Sequence, residues 1–264
     1  MVSNKKETEE LMKRYYHLFK TFKNWWLYLV YKYGLANVGT LVFETRTGVI
    51  VEVPERLLQT FKEIFMSECY LSGLEHDIPP DSTVIDIGAN AGYFTLFIAS
   101  LCPCAKLFSF EPVPVNYAQL KRNRDLNSTR KIKCFPQAVA GHTGVINLTF
   151  DPSDSFTTSA TMFASEKEAG KSLAVPCVTL QQLMDENGIG KCDLLKMDCE
   201  GAEYDILYNC SADYLQRIDQ IAMEVHCGQK ENQNIETMES FLRKQGFITR
   251  RKPVGMLWAW RRSK

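Results

Sequence analysis

The sequence predicts an α/β fold built on a mostly parallel β-sheet. From residue 81 onward, short apolar runs alternate with helical segments, a pattern typical of β–α–β units. Hydrophobic residues make up 45% and charged residues 23% of the chain, which is the composition of a globular protein. At 264 residues the chain can bury a large core, either as one large domain or as one domain with a smaller appendage. These three observations exclude a globally disordered chain.

The hydrophobic pattern locates the elements of this main body. Apolar runs predict strands, and apolar residues three and four positions apart predict helices. The strands are expected at 83–87, 106–110, 132–135 together with 138–139, 145–150, 193–197 and 220–225, and the helices at 93–100, 114–127, 179–186, 204–209 and 235–244. Residues 248–251 and 256–260 predict a final antiparallel hairpin. The polar segment 151–172 is predicted to be either a lid or acceptor loop or a surface insertion.

An N-terminal extension precedes this body. The aromatic spacing of residues 1–33 predicts an amphipathic helix, and residues 40–53 predict a β-hairpin whose turn contains Gly48. Residues 55–74 predict a further helix, which the following prolines end. We therefore expect an accessory region over residues 1–80 and a main domain over residues 81–264.

The net charge and the length of the apolar runs limit the classes of partner that the sequence predicts. The chain carries 31 Lys and Arg against 31 Asp and Glu, so a non-specific nucleic-acid binder, which needs a basic surplus, is not favoured. The apolar run Trp25–Tyr31 is far shorter than the about 20 residues of a membrane span. The N-terminal helix is expected to pack on the body or on a second copy in a homodimer. Attachment to a membrane surface is the alternative.

The cysteines indicate a reducing compartment. Nine cysteines follow no zinc-ligand or disulfide-scaffold spacing, and no signal peptide is recognised at the N-terminus. Free thiols without an export signal predict a cytoplasmic protein.

A glycine turn after the first strand of the main body is the strongest sequence signal. Asp86 ends that strand, and the turn from Gly88 to Gly92, which includes Asn90, leads into a helix. Glu111 ends the next strand, where a carboxylate can accept hydrogen bonds from a ribose diol. Asp86 takes the place of the first glycine of a dinucleotide motif, and its charge would repel a pyrophosphate. The cationic S-adenosylmethionine suits this acidic strand end better.

The sequence resembles the FkbM-type S-adenosylmethionine-dependent methyltransferases. The resemblance is carried by VIDIGANAGYFT (84–95), FEPVPVNYAQLKRN (110–123), AVAGHTG (138–144), VTLQQL (178–183), LLKMDCEGAEYDIL (194–207), MEVH (223–226) and the preceding segment 61–70. It implies a Rossmann-like, seven-stranded methyltransferase sheet. It also implies that Asp86, Gly88, Asn90, Gly92 and Glu111 hold the methyl donor and that the methyl group passes to a hydroxyl oxygen of a small-molecule or sugar-like acceptor. S-adenosylhomocysteine would be the product. In this fold Gln137 would lie near the adenine.

Two strand ends carry the candidate catalytic residues. Asp198 and Glu200 follow the strand at 193–197, and Glu224 and His226 share one face at the end of the strand at 220–225. Asp198 is expected beside the donor, as a base, an acceptor ligand or a helix cap. His226, with an ordinary pKa near 6.5, is a candidate general base. Glu203 is expected to be an exposed carboxylate in the first turn of the next helix.

Three questions stay open at this stage. A divalent ion held by Asp198, Glu200 and Glu224 is conceivable but not favoured, and no metal site is predicted. A nucleic-acid or N-methyltransferase is an alternative, because residues 250–264 hold six basic residues and no acid, although the [DN]-P-P-[YF] motif is missing. The third alternative is a donor-binding protein that has lost turnover.

Overall fold

The computed structural model describes residues 2–35, 39–150, 171–228, 230–252 and 255–262. Within these residues the strands are β1 Thr40–Glu44, β2 Ile50–Pro54, β3 Thr83–Ile87, β4 Lys106–Phe110, β5 Lys131–Phe135, β6 Ala138–Val139, β7 Gly144–Phe150, β8 Lys171–Val178, β9 Cys192–Met197, β10 Ile218–Glu224, β11 Ile248–Arg251 and β12 Met256–Trp260. The helices are α1 Val2–Thr21, α2 Trp26–Lys32, α3 Leu58–Phe61, α4 Tyr93–Leu101, α5 Pro114–Asp125, α6 Leu180–Glu186, α7 Glu203–Tyr208, α8 Ala212–Leu215 and α9 Ile235–Lys244.

A seven-stranded sheet in the order β11–β12–β10–β9–β3–β4–β5 confirms the predicted fold class. The strands from β10 to β5 in this order run parallel, and β12 pairs antiparallel with both β10 and β11. The predicted C-terminal hairpin is therefore correct. The carboxyl ends of β3, β4, β9 and β10 meet at one edge, which is where open α/β sheets bind ligands.

Apolar side chains cover both faces of this sheet. On one face α4 and the N-terminal extension bury a cluster that contains Phe22, Phe65 and Trp258. On the other face α6, α7 and α9 bury a cluster that contains Leu195, Tyr204 and Met238. Alternating residues of the same strand enter the two clusters, as expected for strands covered on both faces. The extension thus supplies part of the core of the main sheet.

The N-terminal helix is interrupted, which the sequence did not predict. The chain leaves α1 to pair with β1: Lys23 donates its backbone N–H to Glu44 (2.8 Å), and the Asn24 side chain bonds the backbone of Val42 and Glu44 (both 2.9 Å). Phe22 then packs in an aromatic cluster with Phe43, its ring centroid 5.2 Å away. Burial of Phe22 and this pairing outweigh helix continuation.

The second predicted helix is also shorter than expected. A 3₁₀ turn at Glu55–Leu57, α3 and a π-helical turn at Lys62–Met66 replace a regular helix over 55–74. The helical path ends at Glu68, whose backbone is left-handed (φ 49°). The carboxylate of Glu68 approaches the His17 imidazole of α1 at 3.2 Å. Apolar spacing does not distinguish this widened π-helical path from a regular helix.

Two further differences concern the small second sheet. The predicted strand region 132–139 divides into β5 of the main sheet and β6, which joins β8 and β7 in a three-stranded sheet. Strand β8 was missed, because its Pro176 and the polar segment before it read as loop. Residues 151–170 of the predicted polar loop lie outside the described residues.

Two further observations concern the helices and the cysteines. No helix within the described residues has both the length and the apolar character needed to cross a membrane. All nine cysteines are free thiols.

The contact between Gly73 and Trp258 offers a test of how the extension is attached. A methyl group at Gly73 would lie 2.2 Å from the Trp258 ring, which is fully buried. We expect Gly73→Ala to lower the free energy of unfolding by about 1–3 kcal/mol through overpacking. Gly190→Ala is the matched control, since nothing lies within 4 Å of its added methyl group. Urea unfolding of both variants measures the difference, and equal midpoints would show that the extension does not depend on this contact.

Candidate active site

A pocket of about 490 Å³ opens at the carboxyl ends of β3, β4, β9 and β10. We call its two sides the loop half and the acidic half. The loop half comprises Gly88, Asn90, Glu111, Val113 and Gln137, and the acidic half comprises Glu63, Asp198, Glu200, Glu224 and His226. Tyr70 of the N-terminal extension also lines the pocket.

The turn after β3 has the conformation that its glycines predict. Gly88 is left-handed (φ 72°), and a Cβ there would lie 1.8 Å from the backbone oxygen of Asp198. The N–H groups of Gly88 and Ala89 both donate to the carbonyl of Phe110, at 3.1 and 3.0 Å. Asn90 is left-handed as well (φ 49°). The turn is therefore held between the ends of β4 and β9, where only glycine fits at position 88.

Glu111 fixes the loop half from the end of β4. Its carboxylate accepts hydrogen bonds from the backbone N–H groups of Asn90 (2.8 Å) and Val113 (2.9 Å). Only 4% of the residue is exposed. Burial raises the pKa of Glu111 to about 7, although both backbone hydrogen bonds act in the opposite direction. The carboxylate is thus desolvated and oriented at the pocket wall.

Asp86 and Gly92, two predicted donor ligands, do not line the pocket. Asp86 is the register partner of Lys196 on β9, and its carboxylate lies 3.1 Å from the Lys196 ammonium. It also accepts a hydrogen bond from the Thr95 hydroxyl at 2.7 Å. Gly92, at the start of α4, packs instead against Leu120. Both residues therefore support the turn from outside the pocket lining.

Lys196 connects the two halves of the pocket. Its ammonium donates to the carbonyl of Gly88 (2.8 Å) and lies 5.2 Å from the centre of the Tyr70 ring. Burial alone would lower its pKa, but Asp86 and Asp198 outweigh that effect and hold the pKa above its ordinary value. A buried ammonium is stabilised only by such partners.

Asp198 begins the acidic half. It follows β9 directly, and its backbone N–H donates to Ile87 of β3 at 3.1 Å. Its carboxylate accepts the hydroxyl hydrogen bond of Tyr70 at 2.7 Å. Helix α7 has Ala202 at its N-cap and no side-chain cap, so Asp198 is not the helix cap that we considered. Tyr70 was missed by sequence reasoning. Tyr70 ends the segment 61–70, which is part of the resemblance to the methyltransferase family, and that position is the signal that could have found it.

His226 is held by a buried carboxylate. Its Nδ1 lies 3.1 Å from Glu203, and its Nε2 lies 3.5 Å from Glu200. Burial would lower the pKa of His226, but the hydrogen bond to Glu203 and the charges of Glu203, Glu200 and Asp198 raise it to about 9. The pKa of the imidazole therefore lies above the value near 6.5 that made it a candidate base.

The expectation for Glu203 was wrong. The residue is fully buried, and its Oε1 accepts hydrogen bonds from the Cys199 N–H and from His226, both at 3.1 Å. An acidic residue at the start of a helix is ordinarily explained by its attraction to the helix dipole. That explanation led to the wrong expectation for Glu203. The signal that could have found it is the apolar sequence that follows Glu203, which buries the first turn of α7.

Glu200 and Glu224 complete the acidic half. Glu200 is left-handed (φ 52°), an uncommon conformation for a residue other than glycine. Burial raises its pKa to about 7; the His226 charge lowers it, and Asp198 raises it further. Burial and the Asp198 charge also raise the pKa of Glu224. One ligand atom from each of Asp198, Glu224 and His226 lies within 4.8 Å of the other two.

Sequence comparison identifies the class of protein as a methyltransferase and also identifies its family. The model of the methyltransferase FkbM domain family matches residues 86–249, which is more than half of the chain. The protein belongs to this family.

The chain is similar to several curated proteins. The chain is 26% identical over 204 residues to Methyltransferase 1 of Beauveria bassiana, covering 70% of this chain and 79% of the relative. It is 31% identical over 195 residues to the 31-O-demethyl-FK506 methyltransferase FkbM of Streptomyces tacrolimicus (63% and 73%). It is 26% identical over 140 residues to the 2-O-methyltransferase NoeI of Sinorhizobium fredii (48% and 57%).

The buried pair of Lys196 and Asp86 can be tested against an exposed pair. Lys196→Met leaves the Asp86 carboxylate buried without its ion partner, and we expect the free energy of unfolding to fall by about 3–5 kcal/mol. Lys191→Met is the control, because Lys191 is exposed beside Asp193 and Asp219 and should contribute about 1 kcal/mol or less. Chemical denaturation compares the two. Losses of equal size would contradict a structural role for the buried pair.

Proposed function

We propose that this protein is an S-adenosylmethionine-dependent O-methyltransferase that acts on a hydroxyl group of a small-molecule acceptor. One observation carries the proposal: a buried carboxylate at the loop half and a group of acids with an imidazole at the acidic half face the same pocket. A group transfer requires its two reactants side by side in such a space. The names of two relatives, a 31-O-demethyl-FK506 methyltransferase and a 2-O-methyltransferase, support transfer to oxygen.

The loop half fits the adenosine part of the donor. Glu111 presents a carboxylate fixed by two backbone N–H groups, as required to accept hydrogen bonds from the two ribose hydroxyls. Gln137, Val139 and the buried Asn116 line the pocket beyond it, where an adenine ring would lie. Among the residues that the structure describes, no lysine or arginine belongs to the loop half, which suits a donor without phosphates. S-adenosylmethionine, when bound, supplies a methyl group activated by a sulfonium.

The chain's own contribution is to position the acceptor and remove its proton. Asp198 and Glu224 offer carboxylates, and His226 offers an imidazole, to hold an acceptor oxygen opposite the loop half. We assign proton removal to the carboxylate of Glu200, which lines the same half and lies 3.5 Å from His226 Nε2. Its left-handed backbone stores about 1 kcal/mol of strain, which is common at functional positions.

Charge disfavours a nucleic-acid acceptor. The acidic half repels a phosphate backbone, and two of the six basic residues of the C-terminal run are held in ion pairs. Arg250 pairs with Glu75 at 2.9 Å, and Arg251 pairs with Glu236 and Glu239. These contacts reduce the positive charge that Arg250 and Arg251 can offer to phosphates.

Donor binding should depend on pH through Glu111. Its pKa near 7 in the free protein means that the carboxylate is ionised above that pH, and only the ionised form can accept both ribose hydroxyls. We expect the affinity for S-adenosylhomocysteine to be highest above pH 7 and to fall about tenfold for each pH unit below it. Calorimetric titration between pH 5.5 and 8 measures this.

Glu111→Gln is the control for that experiment. It should bind at least tenfold more weakly at pH 8, a loss of about 1.4 kcal/mol, and show a flat pH profile. A wild-type protein that binds no S-adenosylhomocysteine at any pH would refute the proposed donor. A variant with the wild-type pH profile would remove Glu111 from the donor site.

The role of Glu200 can be measured once an acceptor is found by screening hydroxylated small molecules with radiolabelled donor. Glu200→Gln should slow methyl transfer about 10²–10⁴-fold, the usual contribution of a general base, and leave S-adenosylhomocysteine binding unchanged. Glu231→Gln, at an exposed carboxylate, is the control and should retain the wild-type rate. A Glu200→Gln rate close to that of the wild type would contradict the assignment. Donor binding without turnover of any acceptor would favour the donor-binding alternative.

A further inference from the structure

We propose that Asp198, Glu224 and His226 form a binding site for one divalent cation at the acceptor side of the pocket. The sequence alone did not favour a metal, and the set it considered contained Glu200 instead of His226. Cation binding is a property of the folded protein that can be tested without a substrate. What the cation does for the acceptor rests on the proposed methyl transfer.

The spacing of the three side chains fits one ion. Their ligand atoms all lie within 4.8 Å of one another. A cation that binds its ligands at about 2.1–2.6 Å separates them by at most about twice that length. Asp198 follows β9, while Glu224 ends β10 and His226 lies two residues further on. The two strands are parallel neighbours, so the main sheet fixes the relative positions of all three ligands.

A second observation lies outside the three ligands. Glu203, fully buried in α7, holds Nδ1 of His226 at 3.1 Å. This fixes the ring so that Nε2 faces the pocket, where Glu200 lies 3.5 Å away, and a divalent cation would take the place of the Nε2 proton. A carboxylate behind an imidazole is the arrangement that orients and strengthens metal-binding histidines. The carbonyl of His226 also accepts a hydrogen bond from Tyr204 at 2.7 Å, so ring and backbone are both held.

The charge of this half also favours a cation. Glu63, Asp198, Glu200 and Glu224 line one side of the pocket. Lys196 is the single lysine or arginine among the described lining residues, and its ammonium is committed to Asp86 and to the Gly88 carbonyl. The mutual repulsion of the carboxylates is relieved when a positive ion lies between them.

The donor set indicates which ion. Two carboxylates suit hard cations, and an imidazole adds affinity for first-row transition metals. Mn²⁺ accepts both kinds of ligand, so we use it as the probe, with Mg²⁺ as its competitor. Three protein ligands leave coordination positions for oxygen atoms of the acceptor.

The cation gives the acceptor hydroxyl a defined place in the reaction. Coordination lowers the pKa of a bound hydroxyl group, so its O–H bond breaks more readily. The proton passes to the Glu200 carboxylate, the oxygen forms a bond to the methyl carbon, and the carbon–sulfur bond of the donor breaks to leave a neutral thioether. Asp198, Glu224 and His226 remain ligands throughout.

The test is titration of the metal-free protein with Mn²⁺. Binding is measured as the decrease in the electron paramagnetic resonance signal of free Mn²⁺. We expect one ion per chain on the wild type. His226→Gln and Glu224→Gln should each weaken binding at least tenfold, and Glu203→Gln should weaken it about 10–100-fold through the orientation of His226. Glu231→Gln is the matched control. It removes an exposed carboxylate outside the pocket lining, so the affinity for Mn²⁺ should change less than threefold.

Two results would overturn the site. One is a wild-type protein that binds no Mn²⁺ up to millimolar concentration. The other is binding that the ligand substitutions do not weaken, which would place the ion elsewhere. S-adenosylhomocysteine calorimetry on each variant shows that it is folded, since donor binding uses the loop half. Methyl transfer at full rate in excess chelator would refute the cation's role and leave the methyltransferase proposal intact. Mn²⁺ binding without S-adenosylhomocysteine binding would refute the methyltransferase proposal and leave the cation site intact.

Discussion

The buried ammonium of Lys196 is the constraint on which the pocket depends. It neutralises Asp86 across the β3–β9 pair and bonds the carbonyl of Gly88 in the turn of the loop half. The same group lies against the ring of Tyr70, whose hydroxyl bonds Asp198. An ion pair inside a sheet costs desolvation energy that its own attraction seldom exceeds. Its value here is positional, because one cation fixes a glycine turn, an acidic strand end and a residue of the N-terminal extension.

The N-terminal extension is therefore part of the site. Tyr70 reaches Asp198, and its carbonyl accepts the indole hydrogen bond of Trp258 from β12 at 2.6 Å. Trp258 is fully buried against Gly73. The extension thus closes the pocket wall while contributing to the core of the main sheet. A segment that seemed accessory from its sequence supplies both packing and a polar contact at the pocket.

The sheet could be predicted from sequence because each strand is short, apolar and bounded by turn residues. The final hairpin and α9 were placed at their correct residues, and Gly88, Asn90, Glu111, Gln137 and Asp198 all reach the pocket. Two failures at the site share one physical cause, namely contacts made across large sequence distances. Asp86 faces Lys196, which is 110 residues away along the chain, and Glu203 is buried by its contact with His226. Neither partner is visible in local periodicity.

The two halves of the pocket differ because different strand ends build them. The turn after β3 and the end of β4 present backbone N–H groups and one carboxylate fixed by them. The ends of β9 and β10 present side chains that carry charge and can exchange protons or bind a cation. A bound donor needs a rigid, shaped surface, whereas an acceptor hydroxyl needs groups that respond to a change in its charge. Assigning the donor to the loop half and the acceptor to the acidic half follows from that difference. It also accounts for Glu203, since an imidazole that must hold an oxygen or an ion needs a fixed ring.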